Sequence, residues 1–181
     1  MAFRGKIRAA VPDDVDAITD IYNQAVHEHI ATCDLSDVPP ESRREWLEEH
    51  RYPYGVWVAE VDETVRGWMV ISQYDPKPCF RKTATFSTYV HRAARGQGVG
   101  SALRKYMVQE AGRRGFHALV NRVWADNRAS IALAERFGFQ LVGHMPELVE
   151  IDGRFVDCLF FERVLSRQGS RNTQGKDGHA A

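Results

Sequence analysis

Apolar residues recur along this chain with two different periods, and each switch between them marks an element. After Pro12-Asp13-Asp14, the residues Val15, Ile18, Tyr22, Ala25 and Val26 fall three or four apart, which places them on one face of a helix. The acidic pair sits in its first turn, where the helix dipole favours negative charge. A second helix is predicted from Pro39-Pro40, carrying Trp46 and Leu47. Residues 6–10 before them read as a first strand. Residues 56–61 and 65–74 are rich in strand formers and read as a hairpin turning at Asp62-Glu63. Pro76 and Pro78 mark a loop before a strand over residues 84–90. The helical period returns at Val99, Ala102, Leu103, Tyr106, Met107 and Ala111 and stops at Gly115. Residues 116–124 are then a strand, and the crossover makes it parallel to the preceding one. A short helix follows between Asn127 and Gly138, and residues 140–144 and 155–161 alternate as final strands. The order β-α-α-β-β-β-α-β-α-β-β predicts an α/β (α+β) fold with a central mixed sheet and helices on both faces.

Composition narrows the function. The chain of 181 residues is 44% hydrophobic and carries 24 basic against 24 acidic residues. One domain is expected over residues 1–165, with length enough for a full core. Residues 166–181 are polar apart from the final alanines and are expected to be a disordered tail. With the charges balanced, no nucleic-acid partner is expected. No apolar run has the length of a membrane span, and the first residues lack the apolar stretch of a signal peptide. Cys33, Cys79 and Cys158 are odd in number and far apart, which suits free thiols in the cytoplasm. There are no internal repeats.

The chemistry concentrates at His91-Arg92-Ala93-Ala94-Arg95-Gly96-Gln97-Gly98-Val99-Gly100-Ser101, between a predicted strand and a predicted helix. Glycines let backbone N–H groups crowd one point, and the helix start adds free donors and a positive dipole end. That is a phosphate cradle, to which Arg95 adds a charge. The dinucleotide fingerprint GxGxxG starting at Gly96 would need glycine where Ser101 stands. The Gly-Lys-Ser/Thr triplet of a P-loop does not occur in the chain. A glycine-rich turn without a ligand would use the same residues. Downstream, Asn127-Arg128-Ala129-Ser130 opens the short helix that ends at Phe137-Gly138-Phe139; Asn127 and Ser130 also suit plain helix capping.

Run and helix together fit Arg/Gln-x-x-Gly-x-Gly/Ala followed by Asn-x-x-Ser and Gly-Phe, and they resemble the GNAT superfamily of acyl-CoA-dependent N-acyltransferases. The resemblance covers about residues 5–165. It implies the GNAT fold, acetyl-CoA as cosubstrate with no metal, and a pyrophosphate site at Arg95, Gly96, Gln97, Gly98, Val99, Gly100 and Ser101. It implies that the CoA arm runs along Thr88, Tyr89 and Val90, where two parallel strands splay apart, with Val123 and Trp124 on the far strand. The Val90 N–H would then polarise the thioester carbonyl, and Asn127 and Ser130 would lie beside the arm. Ile21-Tyr22-Asn23-Gln24-Ala25-Val26, Arg43-Arg44-Glu45-Trp46-Leu47 and Gly143-His144-Met145-Pro146 with Gly153-Arg154 and Asp157 resemble the phosphinothricin N-acetyltransferase group. That implies a small amine acceptor with a carboxylate, and a homodimer.

Two positions depart from this group. Its glutamate base, five residues before Val90, is replaced here by Thr85, whose hydroxyl serves only to position a water. Its histidine, or another family's tyrosine, before Glu135 is here Ala134. Substitute groups each have a plain alternative. Glu147 and Glu150 offer a base, or are surface carboxylates. Asp34 meets an acceptor amine, or caps the second helix. Tyr89 protonates the leaving thiol, or packs in the core. His27-Glu28-His29 lacks HExxH spacing, and solvated helix-end side chains explain it. His91 and Arg92 at the strand exit touch CoA or water. Arg81 and Lys82 hold a substrate carboxylate, or belong to a solvated loop. Trp57, Trp68, Tyr74 and Phe80 wall an acceptor pocket, or fill the core. The leading expectation is acetyl transfer to the amine of a small, amino-acid-like molecule by direct attack. The alternatives are an acyl-CoA sensor with little turnover and a protein N-terminal or lysine acetyltransferase.

Overall fold

A computed structural model describes residues 3–29 and 31–165; the predicted tail lies outside them. The chain runs β1 (Lys6–Ala9), α1 (Val15–Glu28), α2 (Pro40–Glu49), β2 (Gly55–Val61), β3 (Thr64–Gln73), β4 (Thr83–Val90), α3 (Val99–Arg113), β5 (Ala118–Trp124), α4 (Arg128–Arg136), β6 (Gln140–Ile151) and β7 (Arg154–Val164). One seven-stranded sheet has the order β1-β2-β3-β4-β5-β7-β6. Only β4 and β5 pair in parallel, as the crossover through α3 requires. The fold is the mixed sheet expected from the pattern of elements.

Strand alternation sends alternate side chains to opposite helix layers. Trp57, Ala59, Met69, Ile71, Ala84, Phe86, Leu119, Val123 and Phe161 pack with Val99, Leu103, Met107 and Ala111 of α3. Val56, Val58, Trp68 and Val70 pack with Ile18, Ile21, Tyr22 and Val26 of α1, and Trp46 and Leu47 of α2 lie against them. Central strands covered on both faces explain why β2 and β3 read as nearly unbroken apolar runs. Trp57 and Trp68 are therefore core residues, one on each face.

Two hairpin turns have left-handed backbone at both central residues: Asp62 (φ 49°) with Glu63 (φ 58°), and Asp152 (φ 50°) with Gly153 (φ 74°). Such turns match the twist of the strands they join. The last hairpin is longer than its sequence suggests. Pairing runs from Gln140↔Glu162 to Ile151↔Arg154 and slips between Met145 and Val149. The bulge holds Pro146 and Glu147 (φ 50°), and the proline hides the strand from a period-two reading.

The feature that matters for function is a gap. Parallel pairing of β4 with β5 covers Thr83↔Ala118, Ala84↔Leu119 and Thr85↔Val120 and ends there. Both strands continue, β4 to Val90 and β5 to Trp124, held on their outer sides by β3 and β7. Beyond Thr85 the sheet is split.

Candidate active site

The split joins two cavities. One, of about 790 Å³, is bordered by Thr88, Tyr89 and Val90 of β4, by Arg95, Gly96 and Gly98, by Val99, Gly100 and Ser101 at the start of α3, and by Asn127 and Ser130. The other, of about 520 Å³, reaches past Thr85 to Tyr22, Thr32, Asp34, Tyr74, Arg122 and Trp124. Thr88, Tyr89, Arg104, Asn127 and Ser130 border both. A ligand lying in the first therefore presents its end to the second.

The first cavity is built for a phosphate. Gly96 (φ 74°) and Gly98 (φ 85°) adopt left-handed backbone, and Gly98 caps α3, a conformation costly for any residue with a Cβ. A Cβ at Gly100 would stand 3.5 Å from Val90 and 3.7 Å from Leu133, so a longer side chain would fill the gap between α3 and α4. The first N–H groups of α3 have no partner within the helix, as at any helix start. Arg95 stands at the mouth, where its Nη2 donates to Glu28 Oε2 at 2.8 Å and its Nε to the Val90 carbonyl at 3.4 Å. Gln97 folds back to donate to the Ala93 carbonyl at 2.8 Å, outside the cavity lining. Asn127 Oδ1 accepts from Ser130 N–H at 3.0 Å, so the capping role is real and coincides with a place on the wall. Residues and shape fit a CoA pyrophosphate with its arm laid toward the split.

Strand β4 supplies the arm's partners. His91 N–H donates to the Arg66 carbonyl across β3, at 3.0 Å. By strand alternation the N–H groups of Val90 and Thr88 point the other way, into the split. On the α1 face, Tyr89 stacks on Trp68 (centroids 4.6 Å apart) and meets Tyr22 edge-on at 5.1 Å. Its hydroxyl donates to the Ala31 carbonyl at 3.4 Å. Burial, and then the neighbouring Tyr22, push its pKa well above the usual phenol range, so it stays protonated at neutral pH.

The second cavity is lined by charges of both signs. Among its described lining residues, Asp34 is the only carboxylate. Tyr22 Oη donates to Asp34 Oδ2 at 2.5 Å and lies 2.6 Å from Thr32 Oγ1, which itself accepts from Asp34 N–H at 3.2 Å. Burial and then the Asp34 carboxylate raise the Tyr22 pKa, which keeps the phenol a donor. Arg122 and Arg104 are the cations. Arg122 is exposed and shares the α1 face with Thr85 and Trp124. Arg104 lies on the α3 face, buried over Phe86.

Other candidates lie elsewhere. Glu147 and Glu150 are outside the lining; Glu147 sits exposed in the β6 bulge, its N–H held by Asp157 at 2.9 Å. Ala134 is fully buried in the core. His27 pairs with Asp37 at 2.6 Å and His29 with Asp152 at 3.4 Å. Arg81 donates to the Pro78 carbonyl at 3.3 Å, and neither it nor Lys82 lines a cavity described here. Tyr74 lines the second cavity, and Phe80 packs edge-on against Tyr74. Among the described residues no group of three His, Cys, Asp or Glu side chains can hold a metal ion. Cys33, Cys79 and Cys158 are free thiols. No helix among the described residues is long and apolar enough to cross a membrane.

Among the residues the sequence did not single out are Arg104, Asn121 and Arg122, and Glu28 entered only within the His27-Glu28-His29 cluster. Asn121 gave a usable signal: it breaks the apolar alternation Leu119, Val123 on a strand face that must be buried.

A mixed sheet split between its two parallel strands, with a pyrophosphate cradle at one end of the split, defines an acyl-CoA-dependent transferase. The acetyltransferase (GNAT) family model matches residues 18–139. The phosphinothricin N-acetyltransferase of Streptomyces coelicolor is 33% identical over 164 residues, covering 88% of this chain and 96% of the relative. The L-methionine sulfoximine/L-methionine sulfone acetyltransferase of Salmonella typhimurium is 33% identical over 165 residues, 91% of this chain and 96% of its own. A solved phosphinothricin acetyltransferase from Sinorhizobium meliloti, in complex with acetyl-CoA, superimposes with a TM-score of 0.84 at 27% identity, covering 94% of each chain. The chain belongs to the GNAT acetyltransferases, and it is an acetyl-CoA-dependent N-acetyltransferase.

Proposed function

We propose that the acceptor is the primary amine of a small, amino-acid-like molecule, bound on the α1-face side of the second cavity. The observation that carries this is that one carboxylate, Asp34, and the exposed guanidinium of Arg122 line one cavity of about 520 Å³. A zwitterion matches that arrangement, its ammonium toward Asp34 and its carboxylate toward Arg122. Relatives whose names specify phosphinothricin and methionine sulfoximine support the same acceptor class.

The mechanism follows from the placement of groups. An ammonium is no nucleophile, so a proton must leave before attack. Asp34 takes it, held in place by Tyr22, with the Thr85 hydroxyl positioning a relaying water on the same sheet face. The freed amine attacks the thioester carbonyl carbon directly. The oxyanion of the tetrahedral intermediate faces the N–H groups of Val90 and Thr88. The C–S bond then breaks, the sulfur keeps the electron pair and takes the Tyr89 proton, and the second proton on the former amine nitrogen passes through water to restore the phenol. Asp34 thus takes over the work that a glutamate at position 85 performs in the resembling group.

The test is thiol release from acetyl-CoA with three sets of acceptors: α-amino acids and their sulfoximine or phosphinic analogues, the corresponding decarboxylated amines, and short peptides. The amino-acid set is expected to be preferred by at least about tenfold in kcat/KM, the value of one charge-assisted contact. A preference for peptides would replace this reading with a protein acceptor.

A further inference from the structure

Arg104 is a cation in the core, 3% exposed. Its guanidinium lies 4.5 Å from the centre of the Phe86 ring and 5.6 Å from that of Phe139. Burial pushes its pKa down, to about 10, which leaves it charged at neutral pH. Its Nε and Nη1 have no hydrogen-bond partner among the described residues. The ring faces offset part of the cost of burying that charge, and a carboxylate would offset far more. Two further polar atoms on the same wall are also buried and without partners among the described residues: Thr88 Oγ1 and Asn121 Oδ1. An orphaned guanidinium edge, a hydroxyl and an amide oxygen thus come from residues that line the split.

The face of the sheet says which substrate meets them. Phe86 and Thr88 share the β4 face that packs on α3, and Asn121 shares that face of β5 with Leu119 and Val123. The cradle lies at the start of α3. The acceptor residues Tyr22, Asp34, Thr85 and Arg122 lie across the sheet. Arg104 and Thr88 border the cofactor cavity as well as the acceptor's, so an acyl end carried by the donor reaches them. We propose that the donor pocket takes short acyl groups ending in a carboxylate, of the malonyl and succinyl type, with that carboxylate paired to Arg104 and its second oxygen accepting from Thr88. This rests on placing the acceptor on the α1 face. The bond changes are those of acetyl transfer: the amine nitrogen bonds to the thioester carbon, the C–S bond breaks onto sulfur, and the amine's proton leaves through Asp34. The products are the free CoA thiol and an amide that retains the terminal carboxylate.

The test is equilibrium binding of CoA thioesters to the whole protein without acceptor, so that it does not depend on acceptor identity. Malonyl-CoA is compared with isovaleryl-CoA, its uncharged isostere, and succinyl-CoA with valeryl-CoA. The charged member of at least one pair is expected to bind tenfold or more tightly, and Arg104→Leu is expected to reverse that order. Leucine suits the apolar neighbours Phe86 and Phe139, and the wild-type ratio decides alone if the variant does not fold. Equal or weaker binding of both charged donors by the wild type overturns the proposal, as does a preference that survives in Arg104→Leu. So does an absence of donor preference with Arg104→Leu raising KM for amino acids but not for their decarboxylated amines, which would assign Arg104 to the acceptor. A donor preference without turnover of any amino acid would sink the acceptor reading and leave this one standing.

Discussion

At the scale of single residues, the sequence named the cradle residues and Asp34 as candidates and passed over Arg122. Glycines at positions 96, 98 and 100 carry a backbone requirement, and backbone requirements show in sequence spacing. A catalytic carboxylate requires only that its oxygens reach a point in space, and any loop can deliver it. Thr85 and Asp34, far apart in sequence, line the same cavity, and Asp34 is tied there by Tyr22 and Thr32. Arg122 gave no signal, because an arginine on a strand face reads as solvent-facing until the neighbouring strand is known to diverge. The paired charges yield a separable expectation. Arg122→Gln should raise KM for amino-acid acceptors by about tenfold to a hundredfold, the worth of one charge-assisted carboxylate contact. It should leave KM for decarboxylated amines and for acetyl-CoA alone. Steady-state kinetics on the two acceptor sets checks this, and equal effects on both would remove Arg122 from the acceptor site.

At the scale of elements, α3 and the end of α1 act together. The glycine run was readable as a cradle, but its partner was not. Glu28, at the end of α1, holds Arg95 at 2.8 Å, and both border the cofactor cavity. An incoming pyrophosphate competes with that carboxylate for the guanidinium. Glu28→Gln should therefore lower KM for acetyl-CoA by a few-fold, and Arg95→Gln should raise it by about tenfold; both effects should shrink as salt screens the exposed pair. Titration of acetyl-CoA at low and high ionic strength reads both. Weaker CoA binding in Glu28→Gln would mean the carboxylate organises the loop and does not compete. Local geometry also sets a cost at Gly98, the left-handed cap of α3. Gly98→Ala should destabilise the fold by about 1 kcal/mol or more, because alanine meets strain there; thermal unfolding measures it.

At the scale of the whole molecule, one sheet is closed between β4 and β5 at one end and open at the other. The order of elements made the mixed sheet and its two helix layers predictable. The point at which β4 and β5 part was not, since it depends on where hydrogen bonding stops between strands far apart in sequence. The β1 edge of the sheet carries its own electrostatic clamp. Arg8 on β1 donates to both Asp14 oxygens, at 2.7 and 2.8 Å, and to Glu60 on β2 at 2.8 Å. Burial works to raise the Asp14 pKa, but the Arg8 guanidinium and the Val11 N–H together hold it below its ordinary 3.8. A depressed carboxylate pKa stabilises the fold above the unfolded value and loses that stabilisation as pH falls through the folded one. Stability should accordingly decline below about pH 4, and Asp14→Asn should remove much of that dependence. At neutral pH the variant should cost about 2 kcal/mol, the value of hydrogen bonds to a charged group. Denaturant unfolding across pH tests both.

The two-sided site is most directly tested at Asp34. The measurement is kcat/KM for acetyl-CoA-dependent acetylation of methionine sulfoximine or phosphinothricin, in wild type and Asp34→Asn, with KM for acetyl-CoA determined alongside. The account predicts a fall of about 10²- to 10⁴-fold, the usual worth of a general base, with KM for acetyl-CoA unchanged. A variant as active as the wild type, with the same pH profile, would contradict it.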